Sequence, residues 1–174
     1  WQIPYRSTIL YVNEHGTQTG GRAVTHSVLA IANEFLARAE QSNSSLTSMH
    51  LQKLCYFAHG FCLATTNKPL TNDTIEAWEF GPVFPVLYDA VKRYGSGRVV
   101  SLIHENNWAV TPLVRGSIVR DLFKPDEKEI IEEVYVGYAD FDPFQLSALT
   151  HETGSPWEEV YRPGRKHIVI HDPL

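Results

Sequence analysis

The sequence predicts an α+β fold, mainly α-helical: a single compact domain of about six helices with a few short peripheral β-strands. Three observations lead there. Apolar residues recur at helical spacing in several separate stretches, above all from Leu46 to Ala64. Helix-start signals, a Ser, Thr or Asp followed by Pro or by Gln or Glu, precede several of them. The β-like runs are few and short, and 174 residues with 43% hydrophobic content suit one core that buries roughly 70% of the unfolded surface.

Residues 1–23 are the least patterned. Thr8 to Val12 reads as a short strand, followed by a Gly- and Thr-rich connector through Gly21. The first helix is expected from Thr25 to Glu40, with Val28, Ile31, Ala32, Phe35, Leu36 and Ala39 on its buried face and Asn33, Glu34, Arg38 and Glu40 opposite. Gln41 to Ser45 is a polar connector. Thr47 then caps the central helix, with Leu46 and Leu51 placed as a hydrophobic staple. Leu51, Leu54, Cys55, Ala58, Phe61, Cys62 and Thr65 share a face, widened by Met49, Tyr56, Phe57 and Leu63, until little more than Gln52, Lys53 and His59 forms a polar edge. Gly60, which costs about 1 kcal/mol relative to Ala in a helix, is expected to admit a neighbouring backbone.

Asn67-Lys68-Pro69 ends that pattern. Thr74 to Phe80 reads as a strand stopped by Gly81-Pro82, and a helix starting near Pro82 follows on Val83, Val86, Leu87, Ala90, Val91 and Tyr94, with Gly95 as its C-terminal cap. Arg98 to Ile103 is a further candidate strand, and Trp108 to Val119 has no clean period. Pro125-Asp126-Glu127 opens a helix with buried Ile130, Ile131, Val134 and Tyr138. Asp142-Pro143 and Ser155-Pro156 each open a short helix, the first with Phe141 and Leu146 as a staple. Lys166 to His171 reads as a last strand.

Composition narrows the function. The net charge is −5 and the densest basic spot is Arg162, Arg165 and Lys166. That is poor footing for nucleic acid, whose binding rests on clustered phosphate neutralisation. The segment before Val24 is too small for a helix-turn-helix domain. No stretch reads as a membrane span or a signal peptide, and Trp1 is not an initiator methionine, so a trimmed or partial product is expected. Cys55 and Cys62 share a helical face about 10 Å apart, beyond the roughly 7 Å reach of a disulfide. They are read as buried hydrophobes in a reducing, cytoplasmic compartment.

A catalytic or metal constellation is not evident. Eight histidines are present, but His50 and His59 point to opposite sides of their helix at about 100° per residue. His151-Glu152 lacks the second His of a zinc-protease helix. Glu76 and Glu79 face opposite sides of a strand. No metal and no cofactor are expected. The aromatic group Trp78, Phe80, Phe84 and Tyr88 around the Gly-Pro corner reads first as core, with Phe84 and Tyr88 the more exposed pair because they lie off the Val83–Leu87–Val91 stripe.

Three blocks carry a family resemblance. Leu46-Thr47 through Leu51-Gln52-Lys53-Leu54-Cys55-Tyr56-Phe57-Ala58-His59-Gly60 resembles the pattern LTxxKLQKLLYYAQG. Ile75-Glu76-Ala77-Trp78-Glu79-Phe80-Gly81-Pro82-Val83 to Tyr88 resembles IEAWxYGPVxPxxY. Leu146-Ser147-Ala148-Leu149-Thr150-His151-Glu152, followed by Pro156-Trp157, is similar to LSxLTHxxxPW. Together they are marks of the Panacea domain family, found in SocA-like antitoxins and phage-associated GepA-like proteins. His50, Cys55 and His59 depart from the lysine, leucine and glutamine usual there. The resemblance implies an N-terminal extension, residues 1–23, a Panacea domain, residues 24–161, and a C-terminal tail, residues 162–174.

It also implies a bacterial or phage-associated binding protein and not an enzyme: an antitoxin that neutralises a toxin encoded nearby by direct protein contact. The alternative is an adaptor delivering the toxin to a ClpXP-type protease; a hydrolase using His151 and Glu152 is weaker. Partner-binding residues are expected at Phe84 and Tyr88 with Gln52, Lys53 and His59. Leu51, Leu54, Tyr56, Gly60, Glu76, Trp78, Gly81, Pro82, Leu149, Thr150, His151 and Trp157 are expected as framework.

Overall fold

A computed structural model describes residues 25–105 and 116–172. The expected strand at Thr8 to Val12 and much of the stretch from Trp108 lie outside the described residues. The elements run α1 (Val28–Gln41), α2 (Ser48–Thr66), β1 (Ile75–Trp78), β2 (Gly81–Val83), α3 (Pro85–Val91) with a 3-10 turn at Lys92–Tyr94, α4 (Pro125–Tyr138), α5 (Pro143–Thr150), α6 (Pro156–Val160) and β3 (Val169–Ile170). This is the mainly helical α+β architecture that the periodicity predicts.

The centre is α2, which packs against α1, α3, α4, α5 and β2. Thr47 caps it as expected, and His50 completes a reciprocal capping box: its Nδ1 accepts from the Thr47 N–H. Leu46 and Leu51 are both buried, as a staple requires. The first helix starts three residues later than the expected Thr25, at the first residue of its apolar stripe, because Ser27 takes the cap and accepts from the Leu29 N–H. Asn33, expected on its polar face, is buried; its amide donates to the Ile103 and Val119 carbonyls and its oxygen accepts from the Ile103 N–H.

The three strands form one antiparallel sheet in the order β2-β1-β3. Trp78 pairs with Gly81, so Glu79 and Phe80 make a two-residue turn. Two boundaries differ from expectation here. Gly81-Pro82 does not end the strand but opens β2, where Pro is tolerated because β2 is an edge, and the helix expected from Pro82 begins at Pro85. Arg98 to Ile103 is not a strand. Val99 donates to the Leu46 carbonyl and Thr47 bridges Arg98, but Ile103 is taken by Asn33, so no ladder extends. The caps at Asp142 and Ser155 stand, and β3 is shorter than its apolar run.

Candidate interaction site

The three sequence blocks meet at the turn between β1 and β2. Gln52 and Lys53, one turn into α2, reach it from below: Gln52 Oε1 accepts from the Phe84 N–H at 2.8 Å, Gln52 Nε2 donates to the Phe84 carbonyl at 3.2 Å, and Lys53 Nζ donates to the Pro82 carbonyl at 3.0 Å. From α5, Ser147 Oγ donates to the Phe80 carbonyl at 3.0 Å. From α6, Trp157 Nε1 donates to the Trp78 carbonyl at 2.8 Å. Every carbonyl or N–H bonded here belongs to the turn or its flanks, and such groups are costly to bury unpaired.

Gly81 sits where these elements come closest. Its φ of 96° favours glycine, and an added Cβ would collide with Thr150 Oγ1 and fall 2.6 Å from Lys53 Nζ. Lys53 is 1% exposed, and burial pushes its ammonium down to about 7. Thr150 is buried and donates to the Ser147 carbonyl at 2.7 Å.

The expected polar edge of α2 is therefore an interior one. Gln52, Lys53 and His59 are all buried. His59 donates from Nε2 to Asp172 at 2.7 Å and accepts at Nδ1 from the Thr71 N–H. Each has a fixed polar partner from a distant part of the chain, which is what makes burial of a polar side chain tolerable. Phe84, expected to be exposed, is 0% exposed and sits in the core; Tyr88 is 38% exposed and meets Trp78 edge-to-face, with ring centroids 4.9 Å apart.

The other residues of the three blocks lie around this core. Leu51, Leu54, Tyr56, Pro82 and Trp157 are buried, while Gly60 and Leu149 are half-buried. Glu76 accepts from Trp78 Nε1 at 2.8 Å and meets His167 at 3.2 Å. Cys55 and Cys62 are free thiols, both buried. His151 ends α5 and stacks on Trp157 at 3.8 Å, which in turn stacks on Tyr161. Burial, then the nearby Lys53 charge, lowers the His151 pKa. Its Nε2 is the one buried side-chain polar atom without a partner among the described residues. Glu152 beside it is exposed, and no hydrogen bond joins the two among the described residues.

Outside this framework the turn displays aromatic rings. Phe80 is 52% exposed and meets Phe144, 64% exposed, edge-to-face at 6.4 Å. Phe144 and Phe141 stand on either side of Asp142, which caps α5. Phe141 is exposed too, and packs edge-on against Tyr138 of α4. Sequence reasoning placed Phe80 in the aromatic group without selecting it and read Phe141 only as half of a staple. Phe144, directly after Asp142-Pro143 and off the Leu146–Thr150 side of α5, was the legible signal. Arg165 and Lys166 line a separate cleft of about 400 Å³ with Trp78, Glu79 and Tyr161. Among the described residues, no group of three or more His, Cys, Asp or Glu is placed to hold a metal ion, and no helix is long and apolar enough to cross a membrane.

The profile of the family described as "Antitoxin SocA-like, Panacea domain" matches residues 51–158, a span that runs from within α2 to within α6. The chain belongs to that family. It is also 32% identical over 134 residues to Antitoxin SocA of Caulobacter vibrioides (strain NA1000 / CB15N), covering 75% of this chain and 68% of that protein. No solved structure matches. The Panacea match thus spans the same α2, turn and α5–α6 elements that hold Gly81 in place.

Proposed function

We propose that this protein is an antitoxin that neutralises a cognate toxin, encoded nearby, by direct protein–protein binding, and that it performs no reaction of its own. The observation that carries this reading is how the polar residues of the family blocks are used. Gln52, Lys53, Ser147 and Trp157 are committed to backbone atoms of the β1–β2 region, which leaves them holding a surface in shape. A general acid, base or nucleophile needs hydrogen-bond access to substrate, and Lys53 is sealed from solvent. Beside the exposed Glu79, the region offers to solvent the rings of Phe80 and Phe144, the residue type that anchors protein interfaces.

The test is co-expression with the product of the neighbouring reading frame. Growth is expected to be rescued and the two proteins to co-purify. Rescue with no complex would defeat neutralisation by binding. Toxin half-life is read in the same cells: constant or lengthened half-life fits sequestration, and shortening that depends on a ClpXP-type protease fits delivery to proteolysis instead. An extract-free purified sample in which His151→Ala alone abolishes protection at unchanged stability would favour the hydrolase reading.

A further inference from the structure

The charge of this chain is unevenly placed. From Glu129 to Tyr161 there is no Lys or Arg, and there is none from Pro69 to Val91. Those two segments carry β1, β2, α3, α5, α6 and most of α4, and they supply the exposed rings Phe80, Tyr88, Phe141 and Phe144, of which Tyr88 lies apart against Trp78. The rings fall in two contacting pairs, Tyr138 with Phe141 and Phe144 with Phe80, joined in the chain by the Asp142 cap. Carboxylates border these rings. Asp140 and Asp142 flank Phe141 and are exposed, and Glu152, also exposed, lies close enough to raise the Tyr138 pKa, behind the larger effect of burial.

Resting on the reading that the chain binds a partner protein, we infer that the toxin docks on the Phe141–Phe144–Phe80 strip through a cationic segment. That segment carries apolar side chains between Lys or Arg residues. Complementarity of charge selects this occupant. A strip of aromatic rings with exposed Asp140, Asp142 and Glu152 beside it disfavours nucleic acid and anionic membrane, and it discriminates among proteins by sign of charge. The cations Arg165 and Lys166 line the cleft beyond Glu79. Stable interfaces bury about 1,200–2,000 Å² in total. Rings already about half-buried supply roughly half of the 150–250 Å² of a whole aromatic side chain, so three rings form the centre of such a patch and its rim comes from their neighbours.

The structure also fixes the patch in shape. Ser147 and Lys53 bond the backbone beneath Phe80, and the Phe141 carbonyl accepts from His50 Nε2 at 3.0 Å. Rings mounted on fixed backbone lose little freedom on binding.

Two double variants of the full chain test this against wild type, each first checked for an unchanged thermal midpoint: Phe80→Ser with Phe144→Ser, and Asp140→Lys with Glu152→Lys. Asp142 is left in place because it caps α5. Binding to the purified toxin is measured by calorimetry at low and high NaCl. The aromatic variant is expected to bind at least about thirtyfold more weakly, as loss of interface anchors does. The charge variant is expected to bind about tenfold more weakly at low salt, with a flatter salt dependence. Should both variants bind as wild type does, the strip is not the docking surface, though the antitoxin reading survives. Should wild type itself fail to bind the toxin, the proposed function falls and takes this assignment with it. A wild-type dimer that the aromatic variant converts to monomer, with toxin affinity unchanged, would assign the strip to a second copy of the chain and overturn the proposal.

Discussion

Gln52 and Phe84 are joined twice, side-chain amide to backbone amide, by bonds of 2.8 and 3.2 Å in the buried interior. The pair works as a two-point clamp between α2 and the residue that opens α3. Leu at position 52 would keep most of the volume and leave the Phe84 N–H unpaired, while the Phe84 carbonyl keeps its bond from the Tyr88 N–H. At about 1–3 kcal/mol for a buried group left unsatisfied, Gln52→Leu is expected to lose about 1–3 kcal/mol of stability. Urea denaturation measures it directly, and an unchanged midpoint would mean that the clamp is not formed.

Phe84 and Tyr88 separate core from surface within one helical turn. Phe84→Ala is expected to cost about 3–5 kcal/mol, as removal of a fully buried ring does. Tyr88→Ala loses chiefly the edge-to-face contact with Trp78, worth about 0.5–1.5 kcal/mol beyond area. Thermal midpoints of the two variants should therefore differ widely. A weakened toxin interaction in Phe84→Ala reads as loss of fold unless the stability is restored.

Much of the fold was written in the apolar spacing and in the caps. Leu51, Leu54, Cys55 and Ala58 mark the buried face of α2, and Thr47, Asp142 and Ser155 each cap the helix that follows them. The site was less legible, for a physical reason. Periodicity assigns polar side chains to solvent, and Gln52, Lys53 and His59 escape that rule because their partners are a backbone amide, a carbonyl and a carboxylate far away in sequence. A backbone carbonyl looks alike in every residue, so no pattern announces that Pro82 will receive a lysine. Phe84 misled for the related reason that it precedes the α3 helix, and its direction follows the β2 register and not the stripe of Leu87 and Val91.

His50 offers a pH-dependent test at the other end of the strip. Its Nδ1 accepts from the Thr47 N–H and its Nε2 donates to Phe141, an arrangement open only to the neutral ring. Burial lowers its pKa from 6.5, against smaller opposing effects of the Phe141 carbonyl and Asp142. With the folded value below the unfolded one, the unfolded chain binds the extra proton as pH falls from 6.5, so this residue removes stability on acidification. His50→Gln keeps a capping-box residue at that position and is expected to show a smaller fall in thermal midpoint between pH 7.5 and 5.5. Parallel curves for the two proteins would exclude the neutral-ring arrangement.

Gly81→Ala probes the closest approach. The substitution places a methyl against Thr150 Oγ1 and Lys53 Nζ at a φ of 96°. Neither neighbour is free to yield, since both are buried and hydrogen-bonded. Backbone strain of about 1–3 kcal/mol adds to the steric conflict, so a loss of about 3 kcal/mol or more is expected. A soluble, native-like Gly81→Ala protein of wild-type stability would show that the turn has slack.

Lys53 gives the sharpest signature because its sign is opposite to that of an ordinary ion pair. Its ammonium is held near 7 by burial against 10.5 in the unfolded chain, so between those values the unfolded state holds a proton that the folded state has released. Stability then rises with pH across that window, by up to about 1.4 kcal/mol per pH unit. Above about pH 9 the raised pKa values of Cys55 and Tyr56, both due first to burial, pull the other way. The interval from about pH 7 to 8.5 therefore isolates the lysine. Lys53→Met removes the buried amine and leaves the Pro82 carbonyl without its donor, so its stability at a single pH is a mixture of gain and loss. The slope is not: urea midpoints should climb from pH 7 to 8.5 in wild type and stay level in Lys53→Met. Equal slopes in the two proteins would place the Lys53 ammonium in water, not beneath Gly81.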